Sequence, residues 1–224
     1  MLSSFLETAS TYAGEIDNLT LVIAVFTGVW LLAAEGVFFW FMWKFRKSAN
    51  PKAQYVSGEK KEETKWIHWP HNAVLVCDVI IIVLAVRVWY HVKQDLPQPD
   101  ETVKIVAQQW GWHFVHPGPD KKLDTEDDVE VMDQLHVKVD TTYHFKLSSL
   151  DVNHSFSVPA FRLKQDAIPG REITGWFRPT KTGEFDIQCA EICGIGHALM
   201  PARIHVETEQ DHTKWLAEQQ SSKT

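Results

Sequence analysis

Twelve consecutive residues, Cys189 to Met200, read C-A-E-I-C-G-I-G-H-A-L-M and hold two thiols, an imidazole at His197 and a thioether at Met200. Thiolates and thioethers are soft donors that favour copper, and imidazole suits it too. Zinc accepts Cys and His but has no use for Met, and C-x3-C with a lone His leaves a zinc site incomplete. A mononuclear blue-copper site takes one Cys, two His and an axial Met, so this segment holds one Cys too many. Two cysteines four apart in a tight loop can aim both sulfurs into one space, where each thiolate bridges two metals in a flat Cu2S2 core. Met200 then serves as weak axial donor to one copper, and the backbone carbonyl of Glu191, inside the Cys–Cys loop, serves the other. Gly194 and Gly196 permit the sharp turn between Cys193 and His197. The alternative for such a pair in an exported domain is a disulfide, which leaves the imidazole and thioether unexplained. A two-copper core shares one unpaired electron, so reduction disturbs it little. That is an electron relay, with no open position for a substrate.

Each copper needs an imidazole, and His197 supplies only one. Eleven histidines are present, and nothing around His113, His116, His136, His144, His205 or His212 marks any of them as the second ligand. The third cysteine, Cys77, lies in an apolar run and reads as filler.

The elements that must position this segment are short and β-rich. After Asp95, with Pro97 and Pro99 marking a linker, strands are predicted at Val103–Ala107, Trp110–Val115, Leu135–Val139, Tyr143–Leu147, His154–Val158, Glu172–Arg178, Gly183–Gln188 and Ala202–Glu207. The stretch His116–Asp128 reads as turns. Short strands broken by Gly, Pro and Asp predict a sandwich or small barrel. A terminal helix follows over Glu209–Gln220, with residues 221–224 frayed.

The first ninety residues are different in kind. Leu19–Trp43 is a 25-residue run with the single charge Glu35, and Pro70–Tyr90 is a 21-residue run holding Asp78 and Arg87. About 20 apolar residues cross a hydrocarbon core of about 30 Å, and both runs end in aromatics, as interfacial belts do. Two transmembrane helices are therefore expected, at about 19–43 and 68–91. Asp78 at mid-span suggests a hairpin packed on a larger membrane partner, with a tolerated protonated carboxyl as the alternative. Residues 44–65 hold seven basic and three acidic residues, whereas the first eighteen hold no Lys or Arg. That asymmetry puts the loop on the cytoplasmic or matrix side and both termini outside. Residues 1–18 lack a basic n-region and are not read as a signal peptide. The expected organisation is an outer segment at 1–18, a membrane hairpin at 19–94 and a metal-binding β-domain at 95–224. From Asp95 onward 21 acidic residues face 13 basic ones, which argues against nucleic acid as a partner and for steering of a basic soluble protein.

Three stretches, L-D-V-N-H-S-F-S-V-P, L-K-Q-D-A-I-P-G-R and C-A-E-I-C-G-I-G-H-A-L-M-P, closely resemble subunit II of cytochrome c oxidase, and the resemblance extends over almost the entire chain. It implies a mixed membrane-α and all-β protein, with a two-helix transmembrane hairpin followed by a cupredoxin-like Greek-key β-barrel. It implies His154 as the second imidazole of a binuclear copper centre, CuA, formed with Cys189, Glu191, Cys193, His197 and Met200. It implies electron entry from cytochrome c at Trp110, with Trp112 behind it, although Gly111 stands where the family usually has an aromatic. The Glu191 side chain matches a residue contacting magnesium at the junction with subunit I, an ion that one carboxylate cannot hold alone. Glu63, in E-T-K-W-I-H-W-P, matches a glutamate at the mouth of a proton path, with Glu62 adjacent. The implied function is electron transfer to the haem of subunit I for reduction of oxygen to water, coupled to proton translocation. The implied setting is a bacterial plasma membrane or the mitochondrial inner membrane, with lipid and other oxidase subunits as neighbours. The same relay in a nitric oxide reductase and a copper-free quinol oxidase subunit are the alternatives; retention of all six ligand residues speaks against the second. No C-x-x-C-H haem motif is present.

Overall fold

The computed structural model describes residues 7–52 and 55–221. The start of the outer segment (1–6) and residues 222–224 of the expected frayed end lie outside the described residues. The chain divides into two compact units, one built from the residues before Asp17 together with those from Tyr90 onward, the other spanning Asp17–Trp89.

The second unit is helical. Helix α1 covers Ala13–Lys44 and α2 covers Lys61–Trp89; the wider π-helical turn at Tyr90–Gln94 that follows α2 belongs to the first unit. Both are long and apolar enough to cross a membrane. Each exceeds its apolar run, because polar end turns still complete backbone hydrogen bonds. Pro70 lies inside α2, where its ring removes one i→i−4 bond. Glu35, Asp78 and Arg87 are all exposed on these helices.

The other unit is a sandwich of two five-stranded sheets. Its strands are β1 Glu101–Gln108, β2 Gly111–His116, β3 Val129–Met132, β4 Gln134–Lys138, β5 Tyr143–Ser149, β6 His154–Val158, β7 Leu163–Ala167, β8 Ile173–Phe177, β9 Gly183–Cys189 and β10 Ala202–Glu207, with helix α3 at Glu209–Ser221 after them. One sheet runs β3-β2-β1-β5-β8, the other β4-β10-β9-β6-β7. Burial alternates along β1 and β5, and the inward residues make the core. Phe156 packs edge-on to Trp112 at 5.5 Å and tilted to Phe145 at 6.0 Å between ring centroids, a geometry aromatic pairs favour.

Two strands correct the sequence-based expectation. β3 and β7 were not anticipated, and both are edge strands. β3 buries only Val129, and β7 (L-K-Q-D-A) buries only Leu163 and Ala167. Polar edge strands carry too little alternation to announce themselves.

The segment before α1 belongs to the β-unit. Ala9 N–H donates to Ala160 O at 2.8 Å, Thr180 N–H to Ala9 O at 2.9 Å, and Tyr12 OH to Trp176 O at 3.2 Å. The turn after α2 is tied to the same body, with Trp176 Nε1 donating to Val92 O at 3.0 Å and Lys93 Nζ to Gln165 Oε1 at 2.8 Å.

Candidate metal centre

Three connections converge at one end of the sandwich. β1 and β5 are parallel neighbours and end together, so the two-residue β1–β2 turn (Gln109, Trp110) and the β5–β6 loop (Leu150–Asn153) lie side by side. β9 ends at Cys189 opposite Phe156 of β6, which brings the long β9–β10 loop to His154, the first residue of β6.

His154 is fully buried. Its Nε2 lies 2.9 Å from Asp151 Oδ1 and its Nδ1 3.9 Å from Cys189 Sγ. A carboxylate can only accept, so Nε2 carries the proton and the Nδ1 lone pair faces the thiol. Such a carboxylate–histidine pair orients metal-binding imidazoles. Asp151 also takes the N–H groups of Gln109 and Val152, both at 2.6 Å. Burial opposes its charge, but the bonds from His154, Gln109 and Val152 outweigh that and hold the carboxyl below its usual range.

The loop supplies the other donors. Cys189 Sγ and Cys193 Sγ stand 3.8 Å apart as free thiols, and Glu191 O lies 3.2 Å from Cys189 Sγ. His197 Nδ1 is 3.6 Å and Met200 Sδ 4.0 Å from Cys193 Sγ. Each imidazole thus faces a different cysteine, His154 beside Cys189 and His197 beside Cys193. Among the described residues, His154, Cys189 and Cys193 form a group whose ligating atoms all lie within 4.8 Å of one another.

The chemistry of this donor set fits soft metal ions. Burial, and after it the neighbouring Cys189 thiol, push the Cys193 thiol up to about 11. Two thiolates so close repel, and cations between them are what would make both ionised forms favourable. The six positions named from the sequence are therefore brought together, Glu191 through its carbonyl while its side chain is exposed.

Trp110 and Trp112 flank the loop differently. Trp110 is 40% exposed and its Nε1 is 3.4 Å from Cys193 O. Trp112 is wholly buried, lies 6.2 Å from the His154 ring between centroids, and points Nε1 at Met200 O, 3.4 Å away. Gly196 has a steric reason that the sequence did not disclose: a Cβ there would stand 2.3 Å from Trp110 Cδ2. Gly194 has both reasons, with φ +124° and the Gln109 amide 2.9 Å from where a Cβ would be. Beside Gly111, Met132 and Asp133 stand 3.6 Å from the position of a Cβ. Asp151 and Gln109 were missed by sequence reasoning, and the signal for Asp151 was a carboxylate three residues before a candidate ligand histidine.

Glu63 sits in the helical unit, in the first turn of α2, where it accepts from Gly58 N–H at 3.0 Å and Ser57 Oγ at 3.4 Å.

Residues 101–207 match the family model described as cytochrome c oxidase subunit II, periplasmic domain. The chain is 33% identical to the alternative cytochrome c oxidase subunit 2 of Bradyrhizobium diazoefficiens over 94% of this chain and 81% of that relative. It is 28% identical to cytochrome c oxidase subunit 2 of Cereibacter sphaeroides over 96% and 79%. For the probable subunit 2 of Rickettsia felis the identity is 32% over 78% of this chain, which spans 58% of that relative. Among solved structures, the periplasmic domain of subunit II of cytochrome oxidase of Bradyrhizobium japonicum superposes with a TM-score of 0.51 at 30% identity, covering 57% of this chain and 98% of that domain. The β-unit is thus the cupredoxin-like domain that the resemblance implied.

Proposed function

The chain belongs to the cytochrome c oxidase subunit II family, and on that premise we propose that it is the electron-entry subunit of a respiratory terminal oxidase. It takes electrons from cytochrome c or a similarly basic donor and hands them to the haem of subunit I, where oxygen is reduced to water with proton translocation. The observation that carries this reading is the convergence of His154 Nδ1, both cysteine sulfurs, His197 Nδ1, Met200 Sδ and Glu191 O at one end of the sandwich. These residues would hold CuA, which when bound supplies one-electron transfer with little rearrangement.

The chain's own groups prepare for that. Asp151 fixes the His154 tautomer so that a lone pair faces the thiols. Buried Trp112, Phe156 and Met200 keep water from the inner side of the site. Trp110 spans the gap between solvent and the Cys193–His197 arc, with its indole against Gly196, which supports its role as the entry residue. The acidic excess of the β-domain favours a basic donor. The exposed Glu191 carboxylate is free to reach a magnesium ion shared with subunit I.

Two membrane spans are supported by the length and apolarity of α1 and α2. The segments before α1 and after α2 both dock on the β-domain; with the basic residues at 44–65, this supports both ends of the hairpin lying on the periplasmic or intermembrane side. Glu35 and Asp78, exposed on apolar helices, call for cover by subunit I or another partner. Glu63, held near the α2 N-terminus at that basic side, is the proposed proton-path entry.

Replacing Trp110 with Phe or Ala in the assembled oxidase tests the entry role. Electron uptake from reduced cytochrome c is expected to slow at least tenfold while the copper spectrum stays as in the native complex; unchanged uptake kinetics would remove Trp110 from the route.

A further inference from the structure

The β1–β2 turn consists of Gln109 and Trp110 alone, and Gln109 is held at both ends. Its backbone N–H donates to Asp151 Oδ2 at 2.6 Å, and its side-chain Nε2 donates to Cys193 O at 2.8 Å. Asp151 turns its other oxygen to His154 Nε2 at 2.9 Å. One residue therefore joins the turn bearing Trp110 to both halves of the metal centre: the β5–β6 loop that leads into His154, and the end of β9 with the β9–β10 loop, which present the other five positions.

The second loop has few other anchors. At its ends, Ala190 N–H donates to Ser155 O at 2.9 Å and Met200 O faces Trp112 Nε1 at 3.4 Å. Between them, His197 N–H and Leu199 N–H bond only within the loop, to Gly194 O and Gly196 O. Ile192, Ile195 and Leu199 are 82%, 94% and 79% exposed and contribute little packing. Cys193 O is where a hydrogen bond from another element reaches the loop's middle, beside the buried Cys193 side chain and the contact of Gly196 with the Trp110 indole. The Gln109 amide is the closer of its two donors, since the Trp110 indole stands at 3.4 Å. Gly194 lets the amide come this near, for a Cβ there would sit 2.9 Å from Gln109 Nε2.

We infer that Gln109 is a positioning residue: it fixes the Cys193 carbonyl, and with it the arc of the ligand loop, against the Trp110 turn and the Asp151–His154 pair before metal arrives. The statement about the loop stands on these bonds alone; its consequence for electron entry rests on the role proposed above for Trp110.

The test uses the full chain in detergent micelles, metal-free and copper-loaded, and the assembled oxidase. Gln109→Met keeps the side-chain length and removes the donor; Gln109→Glu keeps the shape and sets an oxygen against Cys193 O. Losing a hydrogen bond of ordinary net strength is expected to raise amide hydrogen exchange of residues 191–198 in the metal-free chain by roughly three- to tenfold. Exchange in the β1, β5 and β9 strands stays as in the native chain. The copper hyperfine splitting of the loaded chain shifts, and electron uptake from reduced cytochrome c slows by a similar factor. Native-like exchange over 191–198 in both variants would overturn the inference, as would a uniform rise across the β-domain, which marks a merely structural bond. A loosened loop combined with native uptake in Trp110→Phe would leave the clamp standing and remove the entry route, so the two ideas fail separately. Should Gln109→Met not fold, Gln109→Glu decides on the same exchange measurement.

Discussion

Two regions of the β-domain are rich in histidine, and only one has the geometry of a metal centre. At the loop end, His154 and His197 aim Nδ1 at different cysteine sulfurs, 3.9 and 3.6 Å away. Beneath α3, His136 lies stacked between His205 at 4.5 Å and Trp215 at 4.1 Å, while His116 and His212 meet the same indole at 4.9 and 5.3 Å. Carboxylates hold this second cluster through Nδ1, with Glu207 on both His136 (2.8 Å) and His212 (3.2 Å), and Glu184 on His205 (3.5 Å). His136 presents its faces to His205 and Trp215, His116 meets His212 and Trp215 edge-on, and among the described residues these nitrogens form no group close enough to hold one ion. Imidazole count does not make a metal centre. What distinguishes the loop end is a pair of soft sulfurs and a backbone that brings them and two imidazole nitrogens to one point. The α3 cluster instead buries aromatic surface and seats a helix.

Substitution separates the two regions most sharply. Cys193→Ser is expected to abolish the binuclear copper signal, whereas His136→Ala leaves copper content native and lowers stability by about 2–3 kcal/mol through lost stacking and a broken bond to Glu207. Metal analysis beside denaturant unfolding checks both; copper lost from His136→Ala would collapse the distinction.

Acid reads the same difference through protons. Burial holds His116 well below the usual histidine range, brings His136 down to about 4 and lowers His212, with neighbouring histidines adding to the first two. A histidine depressed in the folded state takes up its proton more readily when unfolded. Stability is therefore constant above about pH 6.5 and falls as pH drops towards 4, by up to about 1.4 kcal/mol per unit for each such group. Burial raises Glu207, against the bond from His212, and this opposes the loss in the lower part of the window. Unfolding of the metal-free chain between pH 7.5 and 4 should show this slope, and His136→Phe, which keeps an aromatic ring without the proton, should flatten it by about one group's share. An identical slope in that variant would assign the acid sensitivity elsewhere.

The smallest expected effect concerns Gly196. An alanine there forces the Trp110 indole aside, so electron uptake should slow several-fold while copper content stays native. A native rate would mean that contact between the indole and the loop is immaterial.

Much of this was legible in the residues, for physical reasons. The loop ligands are contiguous, and donor softness alone separates copper from zinc across Cys189–Met200. His154 lies 35 residues away in sequence from Cys189 and becomes its neighbour through the pairing of β6 with β9, which no spacing rule reveals; only the resemblance identified it. Alternating strands such as β1 and β5 declared themselves, while the polar edges β3 and β7 did not. The α3 cluster was invisible for the same reason as His154: His116, His136, His205 and His212 are brought together by three strands and a helix far apart in sequence.

We propose above all that the loop end holds two coppers sharing one unpaired electron. Copper quantification and low-temperature EPR on the full chain, loaded with copper in detergent, test it most directly. Two coppers per chain with a seven-line hyperfine pattern is the expected result; one copper per chain with a four-line pattern would contradict it.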